Sequence, residues 1–176
     1  MTYERRQAIE VLADTIRTQL NVTTPVDMQQ VVSSLKGNLV PITFEDSSIS
    51  GRIQKTGETF EISYNAEHSQ LRSEFTIAHE LGHLFLHMGY LVNPDKWNAI
   101  DEYYDSPKYR QGYSEEEYEA NQFAGAFLMP EKEYRQFVIE YSKDNRINVN
   151  LIANHFNVSF DAALTRGKWL GIFQWK

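Results

Sequence analysis

The sequence predicts an α+β fold, in which a small three-stranded, mainly antiparallel sheet packs on a central helix and further helices surround them. Apolar residues recur at helical spacing within the first 20 residues, and short β-prone stretches follow between residues 38 and 64. A second and more apolar helical pattern covers residues 68–88. Because its apolar residues lie on more than one side, this helix is expected at the centre of the molecule.

Two helices are predicted before the sheet, in residues 1–37. Glu4–Leu20 carries apolar residues with the spacing of an amphipathic helix. Pro25 interrupts that pattern, and Asp27 is a suitable N-cap for a second, shorter helix. The second helix is expected to end at Gly37.

Three strands are predicted in residues 38–67. The stretches Asn38–Phe44, Ser50–Lys55 and Glu58–Tyr64 are short and β-prone, and the alternation of apolar and polar residues is clearest in the last. Thr56 and Gly57 mark a tight turn between the second and third strands. This section is therefore expected to form the whole sheet.

Residues 68–130 are predicted to hold two longer helices and an insert between them. The first helix covers His68–Met88 and ends at Gly89, a residue favoured at helix C-termini. The second covers Ser114–Met129 and is closed by Pro130. The insert, residues 90–113, is irregular and rich in aromatic residues. A loop of this length is often functional, so it is interpreted either as a lid or substrate-binding flap or as an aromatic cluster that packs down.

The C-terminal section, residues 131–176, is predicted to be helical. Glu131–Tyr141 forms one helix, and two short helices separated by a turn at Asn157 follow. The chain has 176 residues and no internal repeat. We therefore expect residues 1–176 to form a single domain.

Composition limits the classes of function. A net charge of −7 argues against nonspecific nucleic-acid binding and favours a basic or hydrophobic protein partner. The absence of cysteine excludes disulfides, thiol catalysis and cysteine-ligated zinc, so any metal ligands must be histidine or carboxylate. Met1–Arg6 is polar and unlike a signal peptide, and no apolar run is long enough to cross a membrane. A cytoplasmic location is expected.

The pattern that organises the chain is His79-Glu80-Leu81-Gly82-His83, an HExxH motif. Positions i and i+4 of an α-helix lie one above the other, so His79 and His83 can present two imidazole nitrogens to one metal ion. Glu80 is next to the first ligand, where its carboxylate can reach a metal-bound water. Zinc lowers the pKa of such a water towards neutrality, and the glutamate accepts its proton during attack on a carbonyl.

A two-histidine site needs a third protein ligand. The available donors are His68, His87, His155, Glu115, Glu116, Glu117 and Glu119. Glu117 is the strongest candidate because Asn121 follows at i+4, where it could hydrogen-bond to a ligand histidine. Ser114-x-x-Glu117 is equally a capping box, in which the carboxylate binds backbone. Spacing alone leaves both interpretations open, and Glu116 or Glu119 would replace Glu117 in another register.

His87 follows His83 by four residues and so lies near the same helix face. Four residues exceed one α-helical turn, so its side chain is rotated by about 40° away from the direction of His83. This geometry favours a supporting role for His87 over direct ligation. The residue that stabilises the oxyanion stays open between His87, Tyr113, Tyr118 and His155.

The chain resembles the ImmA/IrrE metallopeptidases of bacteria and their mobile elements. The matching residues are Phe75–His83 with Leu86-His87, and a second block that runs from Glu117-x-x-Ala120-Asn121 to Leu128-Met129-Pro130. The resemblance implies a zincin-like domain in which His79, His83 and Glu117 bind the metal and Glu80 is the general base. It thus favours ligation by Glu117 over the capping box.

The resemblance also implies a function. Members of this family cleave helix-turn-helix repressors, and the chain resembles the stand-alone anti-repressors among them. We therefore expect a zinc-dependent endopeptidase, although a His₂Glu site also accepts other divalent ions such as Mn²⁺. The alternative is a non-catalytic, metal-stabilised protein that sequesters a repressor. Direct DNA binding through Leu151–Trp169, whose spacing resembles a helix-turn-helix, is not expected because the segment lacks a basic patch.

Overall fold

The computed structural model describes residues 1–100, 114–144 and 146–175. Its described elements follow the predicted order. The helices before the sheet are α1 (Tyr3–Gln19) and α2 (Met28–Ser34), and the strands are β1 (Asn38–Ile42), β2 (Gly51–Thr56) and β3 (Thr59–Asn65). The central helix is α3 (Gln70–Gly82), which continues as a π-helical segment, π1 (His83–Met88). The remaining helices are α4 (Pro94–Ala99), α5 (Glu115–Leu128), α6 (Glu131–Tyr141), α7 (Val149–Phe156) and α8 (Phe160–Trp169).

The two N-terminal helices begin at polar side chains that satisfy the first free backbone N–H groups. The Thr2 hydroxyl accepts a hydrogen bond from the backbone N–H of Arg5 at 3.2 Å. Asp27 accepts one from the backbone N–H of Gln30 at 3.0 Å, as the sequence predicts for an N-cap. Their apolar faces are buried, so both helices contribute to the core.

The sheet has three strands in the order β1-β3-β2. Strands β2 and β3 form an antiparallel hairpin, as predicted, but β1 pairs with β3 in parallel. The prediction of a mainly antiparallel sheet is therefore wrong for one of the two pairings. The reason is topological, because the chain reverses direction between β1 and β2 and again between β2 and β3, so β3 runs in the same direction as β1. The α+β class and the three-stranded sheet are confirmed.

Helix α3 lies between the sheet and α5, and α1 packs on another side of α5. Its contact with α5 is close at Gly82. A Cβ atom added there would lie 2.8 Å from the Cα atom of Ala120. Because so short a contact would force the helices apart, glycine at this position sets the distance between the two helices.

The predicted helix His68–Met88 ends at Gly89, as expected, with glycine in the left-handed conformation at φ 81°. Its last turn differs from the prediction because it is π-helical rather than α-helical. A π-helix closes its hydrogen bonds over one more residue than an α-helix. The change alters the directions in which the side chains of π1 point.

The insert predicted at residues 90–113 is described as far as Ile100. It begins with packed aromatic residues, since Tyr90 and Trp97 are buried and their rings meet edge to face at 4.8 Å. The Tyr90 hydroxyl donates to the carbonyl of Leu35 at 2.8 Å. This part therefore packs down on the core. The rest of the insert, with its other tyrosines, lies outside the described residues.

The C-terminal section is helical, with the predicted turn at Asn157 in the left-handed conformation at φ 53°. Tyr134 of α6 is fully buried and donates its hydroxyl hydrogen to the carbonyl of Ala163 at 2.7 Å. Burial raises the pKa of this phenol above its ordinary value. Over the described ranges, no helix is both long enough and apolar enough to cross a membrane. The division into one domain stays a prediction.

Candidate metal centre

Three donor side chains converge at the junction of α3, π1 and α5. The Nε2 atoms of His79 and His83 lie 3.1 Å apart. The carboxylate oxygens of Glu117 lie 3.4 Å from His79 Nε2 and 3.2 Å from His83 Nε2. Together the three residues form a group whose donor atoms could hold one metal ion.

The spacing of these donor atoms fits a divalent ion such as zinc. Bonds of about 2.0–2.1 Å in a tetrahedral site separate neighbouring donor atoms by about 3.3–3.4 Å. The observed separations of 3.1, 3.2 and 3.4 Å are close to that value. Two imidazoles and one carboxylate also match the ligands of a catalytic zinc site with one open position. The residues present therefore fit the metal that the sequence predicts.

The two histidines differ in burial. The side chain of His83 is 1% exposed, whereas those of His79 and Glu117 are 11% and 22% exposed. The donor cluster is therefore closed on the side of His83 and accessible on the side of the other two. A small molecule or an extended peptide could approach it from that side.

Glu117 combines the two interpretations that its spacing allows. Its backbone N–H donates to the Ser114 hydroxyl oxygen at 3.3 Å, so Ser114 does cap α5. The Glu117 carboxylate, however, faces His79 and His83. The two neighbouring imidazoles hold the pKa of this carboxyl far below its ordinary value. The half of the capping box that would use the carboxylate is thus replaced by the donor cluster.

Asn121 lies one turn after Glu117 on α5 and contacts the other ring nitrogen of His79. Its Oδ1 atom is 3.1 Å from His79 Nδ1. An amide oxygen can only accept a hydrogen bond, so His79 donates from Nδ1 and keeps the lone pair of Nε2 for the cluster. Asn121 therefore fixes the tautomer and the orientation of His79.

His87 contacts His83 in a similar way, with the two Nδ1 atoms 2.9 Å apart. In a continuous α-helix His87 would be rotated about 40° from His83. Here the last turn is a π-helical segment, which changes the direction of the His87 side chain and leaves it in contact with His83. Burial is the main reason that the pKa of His87 lies below its ordinary value. The geometry makes His87 a neighbour of the donor cluster and not a member of it.

Glu80 follows His79 on α3 and is fully buried. Its carboxylate lies against the first residue of β2. A Cβ atom on Gly51 would be 3.1 Å from Glu80 Oε1 and would overlap the methyl group of Thr76. Glycine at the start of β2 therefore leaves the room that the Glu80 side chain occupies. The sequence predicts the role of Glu80, whereas this contribution of Gly51 is visible only in the fold.

The comparison with protein families agrees with this geometry. The model of the Peptidase M78 family, described as the IrrE N-terminal-like domain, matches residues 35–168. The chain belongs to this family. The resemblance to the ImmA/IrrE proteins that the sequence motifs predict is thereby confirmed. The family is metallopeptidase-like, and the described residues of this member contain a three-residue group suited to a divalent metal.

Among solved structures, this member of the M78 family is similar to a Mycobacterium tuberculosis transcriptional regulator, with a TM-score of 0.64 and 18% sequence identity. The alignment covers 94% of this chain and 48% of the regulator, so the chain spans about half of that protein's length. At this level of identity the similarity shows the fold alone. No curated protein matches the chain.

The other candidate ligands of this M78 member lie apart from the donor cluster. Glu115 pairs with the N-terminal amine at 3.1 Å, and Glu116 is exposed. Glu119 binds Arg5 and His87 instead. His68 lies two residues before α3, and His155 pairs with Glu133 on α6 at 2.9 Å. Of the residues considered for the oxyanion, Tyr118 is 42% exposed beside Glu117, and Tyr113 lies outside the described residues.

A cavity of about 650 Å³ adjoins the centre between α3, α5 and α8. Its walls are mainly apolar and include Leu71, Phe75, Met129 and Trp169. Asn121, which accepts the hydrogen bond from His79, also lines the cavity. Asn121 therefore connects the wall of the cavity to the candidate centre.

The helices that resemble a helix-turn-helix, α7 and α8, do not offer Arg166 to DNA. Its side chain is 2% exposed, and its guanidinium binds both oxygens of Glu10 at 2.5 and 2.7 Å. It also donates to the carbonyl of Met129 at 3.0 Å. Because Glu10 neutralises this charge inside the protein, Arg166 is not available for a phosphate contact.

Proposed function

We propose that this protein is a zinc-dependent endopeptidase that cleaves a helix-turn-helix repressor and so acts as an anti-repressor. The observation that supports the proposal is the convergence of His79, His83 and Glu117, with the buried Glu80 next to His79 in the chain. The membership in the metallopeptidase-like M78 family supports the reaction type. Another divalent ion, such as Mn²⁺, would suit the same donors.

In this proposal each residue of the centre has a separate task. His79, His83 and Glu117 hold the ion, which when bound lowers the pKa of a coordinated water and polarises the scissile carbonyl. Glu80 accepts the proton of the attacking water through its carboxylate and then donates it to the nitrogen of the leaving amine. Asn121 keeps the His79 ring in the tautomer that this arrangement needs.

The exposure of the centre supports catalysis over a purely structural metal. A structural zinc site usually has four protein ligands and is closed to solvent. Within the described ranges, this cluster brings together three protein donors, and His79 and Glu117 are partly exposed. An open position on that side would admit the scissile carbonyl of a peptide.

The proposed substrate segment is extended and carries apolar side chains. Strand β2 is an edge strand of the described sheet, and it begins at Gly51 beside Glu80. An edge strand can pair with an extended peptide through backbone hydrogen bonds. The cavity that adjoins Asn121 is of a size and lining suited to apolar side chains of that peptide.

The proposal of a repressor as substrate rests on the family. The IrrE N-terminal-like match supports a regulatory protein as target, and the net charge of −7 favours a basic partner such as a DNA-binding protein. A repressor substrate would place the reaction in the cytoplasm. The proposed setting is a phage or another mobile element, whose repressor the protein would remove.

The experiment that tests this proposal incubates the zinc-loaded protein with the repressor encoded beside its gene and follows cleavage by mass spectrometry. Glu80→Gln keeps the shape of the side chain but removes the base, so we expect cleavage to slow by about 10²–10⁴-fold at unchanged zinc content. Glu116→Gln is the matched control, because it makes the same change in an exposed carboxylate outside the cluster.

The alternative function, a non-catalytic protein that sequesters its repressor, predicts a different result. Glu80→Gln would then relieve repression as well as the wild type does, and no cleavage product would form with either protein. Cleavage by the wild type that persists at full rate in Glu80→Gln would contradict the assigned role of Glu80.

A further inference from the structure

A chain of hydrogen bonds connects the buried ligand candidate His83 to an arginine on the protein surface. His83 Nδ1 is 2.9 Å from His87 Nδ1, and His87 Nε2 is 3.2 Å from Glu119 Oε2. Arg5 donates two hydrogen bonds to the Glu119 carboxylate, from Nε to Oε1 at 2.7 Å and from Nη2 to Oε2 at 2.6 Å. The four residues come from π1, α5 and α1, so the chain connects three separate elements.

The donor and the acceptor of each of these hydrogen bonds can be assigned by starting from Arg5 and Glu119. Arg5 can only donate and the Glu119 carboxylate accepts, so the ring nitrogen of His87 that faces Glu119 is the one that carries hydrogen. His87 Nδ1 is then the acceptor of its neutral ring, and His83 must donate to it from Nδ1. His83 is thereby left with a lone pair on Nε2, the atom that faces His79 and Glu117.

We propose that Arg5, Glu119 and His87 are positioning residues that orient His83 and strengthen its binding of the metal ion. A carboxylate hydrogen-bonded to a metal-ligating histidine fixes the ring and raises its basicity. Here the carboxylate acts through a second imidazole, and the chain ends at a cation. The inference rests on the metal site of the proposed function.

The inference also assigns a role to the N-terminal helix. Helix α1 lies outside residues 35–168, the segment that matches the family model. Through Arg5 it contacts Glu119, two residues from the proposed ligand Glu117. Helix α1 would then contribute to the metal centre as well as to the core.

A merely structural role for Arg5 would have a different consequence. The Arg5 side chain is 42% exposed and that of Glu119 is 10% exposed, and an ion pair that only stabilises the fold would not change the affinity for zinc. Arg135 provides the matched comparison, since it is 45% exposed and binds Glu131 at 2.7 Å on α6. If Arg5 acts only as an ion pair, its replacement and that of Arg135 should leave the dissociation constant for zinc equally unchanged.

The test measures zinc affinity by competition with a chromophoric chelator, on purified full-length variants whose circular dichroism matches that of the wild type. We expect Glu119→Gln to raise the dissociation constant for zinc by about 10–100-fold. We expect Arg5→Ala to raise it by several-fold, Arg5→Lys to restore part of the loss, and Arg135→Ala to leave it unchanged. With Co²⁺ as a probe, the visible absorption bands should shift in Glu119→Gln.

Unchanged zinc affinity in folded Glu119→Gln and Arg5→Ala would overturn the inference and leave the proposed function intact. If Glu119→Gln fails to fold, the surface variant Arg5→Ala decides, because Arg135→Ala controls for the loss of an exposed ion pair. Equal changes in zinc affinity in Arg5→Ala and Arg135→Ala would also overturn the inference. A wild type that binds no zinc would overturn both this inference and the metal site of the proposed function.

Discussion

The two histidines of the HExxH motif have the same chemistry but different support. His79 is 11% exposed and is held by one amide, that of Asn121. His83 is 1% exposed and is held through His87 and Glu119 by a chain that ends at Arg5. One histidine thus borders the open side of the site, and the other is anchored in the interior.

This difference shows how a motif of fixed spacing acquires its orientation. The i, i+4 spacing brings both Nε2 atoms together, but it does not determine which nitrogen of each ring carries the proton. The neighbouring helix α5 determines it, through Asn121 for one ring and Glu119 for the other. The more buried histidine needs more partners because an unsatisfied polar atom costs more free energy where water is absent.

The largest expected difference between the two histidines is in the stability of the zinc-free protein. His83→Ala should lower the free energy of unfolding by about 3 kcal/mol, because it opens a cavity and leaves buried His87 without its partner. His79→Ala should lower the free energy of unfolding by about 1 kcal/mol, since His79 is partly exposed and water can hydrogen-bond to the partners that it leaves. Urea unfolding in the presence of a chelator measures both values.

Circular dichroism and unchanged m-values would establish that both variants unfold from the same native state. Equal losses of stability, or a larger loss for His79→Ala, would show that the anchoring of His83 does not differ from that of its partner.

A smaller expected effect on folding stability concerns the hydrogen bonds that connect His83 to Arg5, and it depends on pH. Hydrogen bonding to Arg5 holds the pKa of Glu119 below its ordinary value of 4.5. Because the pKa is lowered in the folded state, the carboxylate stabilises the fold above about pH 4.5, and this contribution is lost as pH falls through the folded-state pKa. Glutamine cannot titrate, so Glu119→Gln should be less stable than the wild type by about 1 kcal/mol at pH 7.

The difference between these two proteins should shrink steadily below pH 4.5, and urea unfolding at several pH values measures it. Asn121→Ala is the comparison on the open side, because its loss removes no charge. A stability difference between Glu119→Gln and the wild type that stays constant from pH 7 to pH 3 would contradict the role given to the Glu119 charge.

Much of the fold is predictable from local sequence signals. The bounds of α6 agree with the prediction, and α1 and α5 differ from it by one residue at each end. The N-cap at Asp27 and the helix end at Gly89 follow from the preferences of those residue types. The parallel pairing of β1 with β3 does not follow from any local signal, because it depends on which strand occupies the middle of the sheet.

The candidate centre shows the same limit. Fixed spacing on one helix predicts the proximity of His79 and His83, and family resemblance favours Glu117 as the third residue. The spacing on the helix favours a supporting role for His87. The change from α-helix to π-helix could not be derived, because it leaves no periodicity that a six-residue stretch would reveal. The contact of Arg5 with Glu119 joins residues 114 positions apart, and charge alone does not select this pair from the other acidic side chains.

The central claim is that His79, His83 and Glu117 hold one metal ion, and elemental analysis of the purified protein tests it most directly. We expect one zinc per chain in the wild type and in Glu116→Ala, and a loss or marked weakening of binding in Glu117→Ala after identical purification. Full occupancy in Glu117→Ala would contradict the assignment of the third ligand. No zinc in the wild type, even after zinc is added, would contradict the metal site itself.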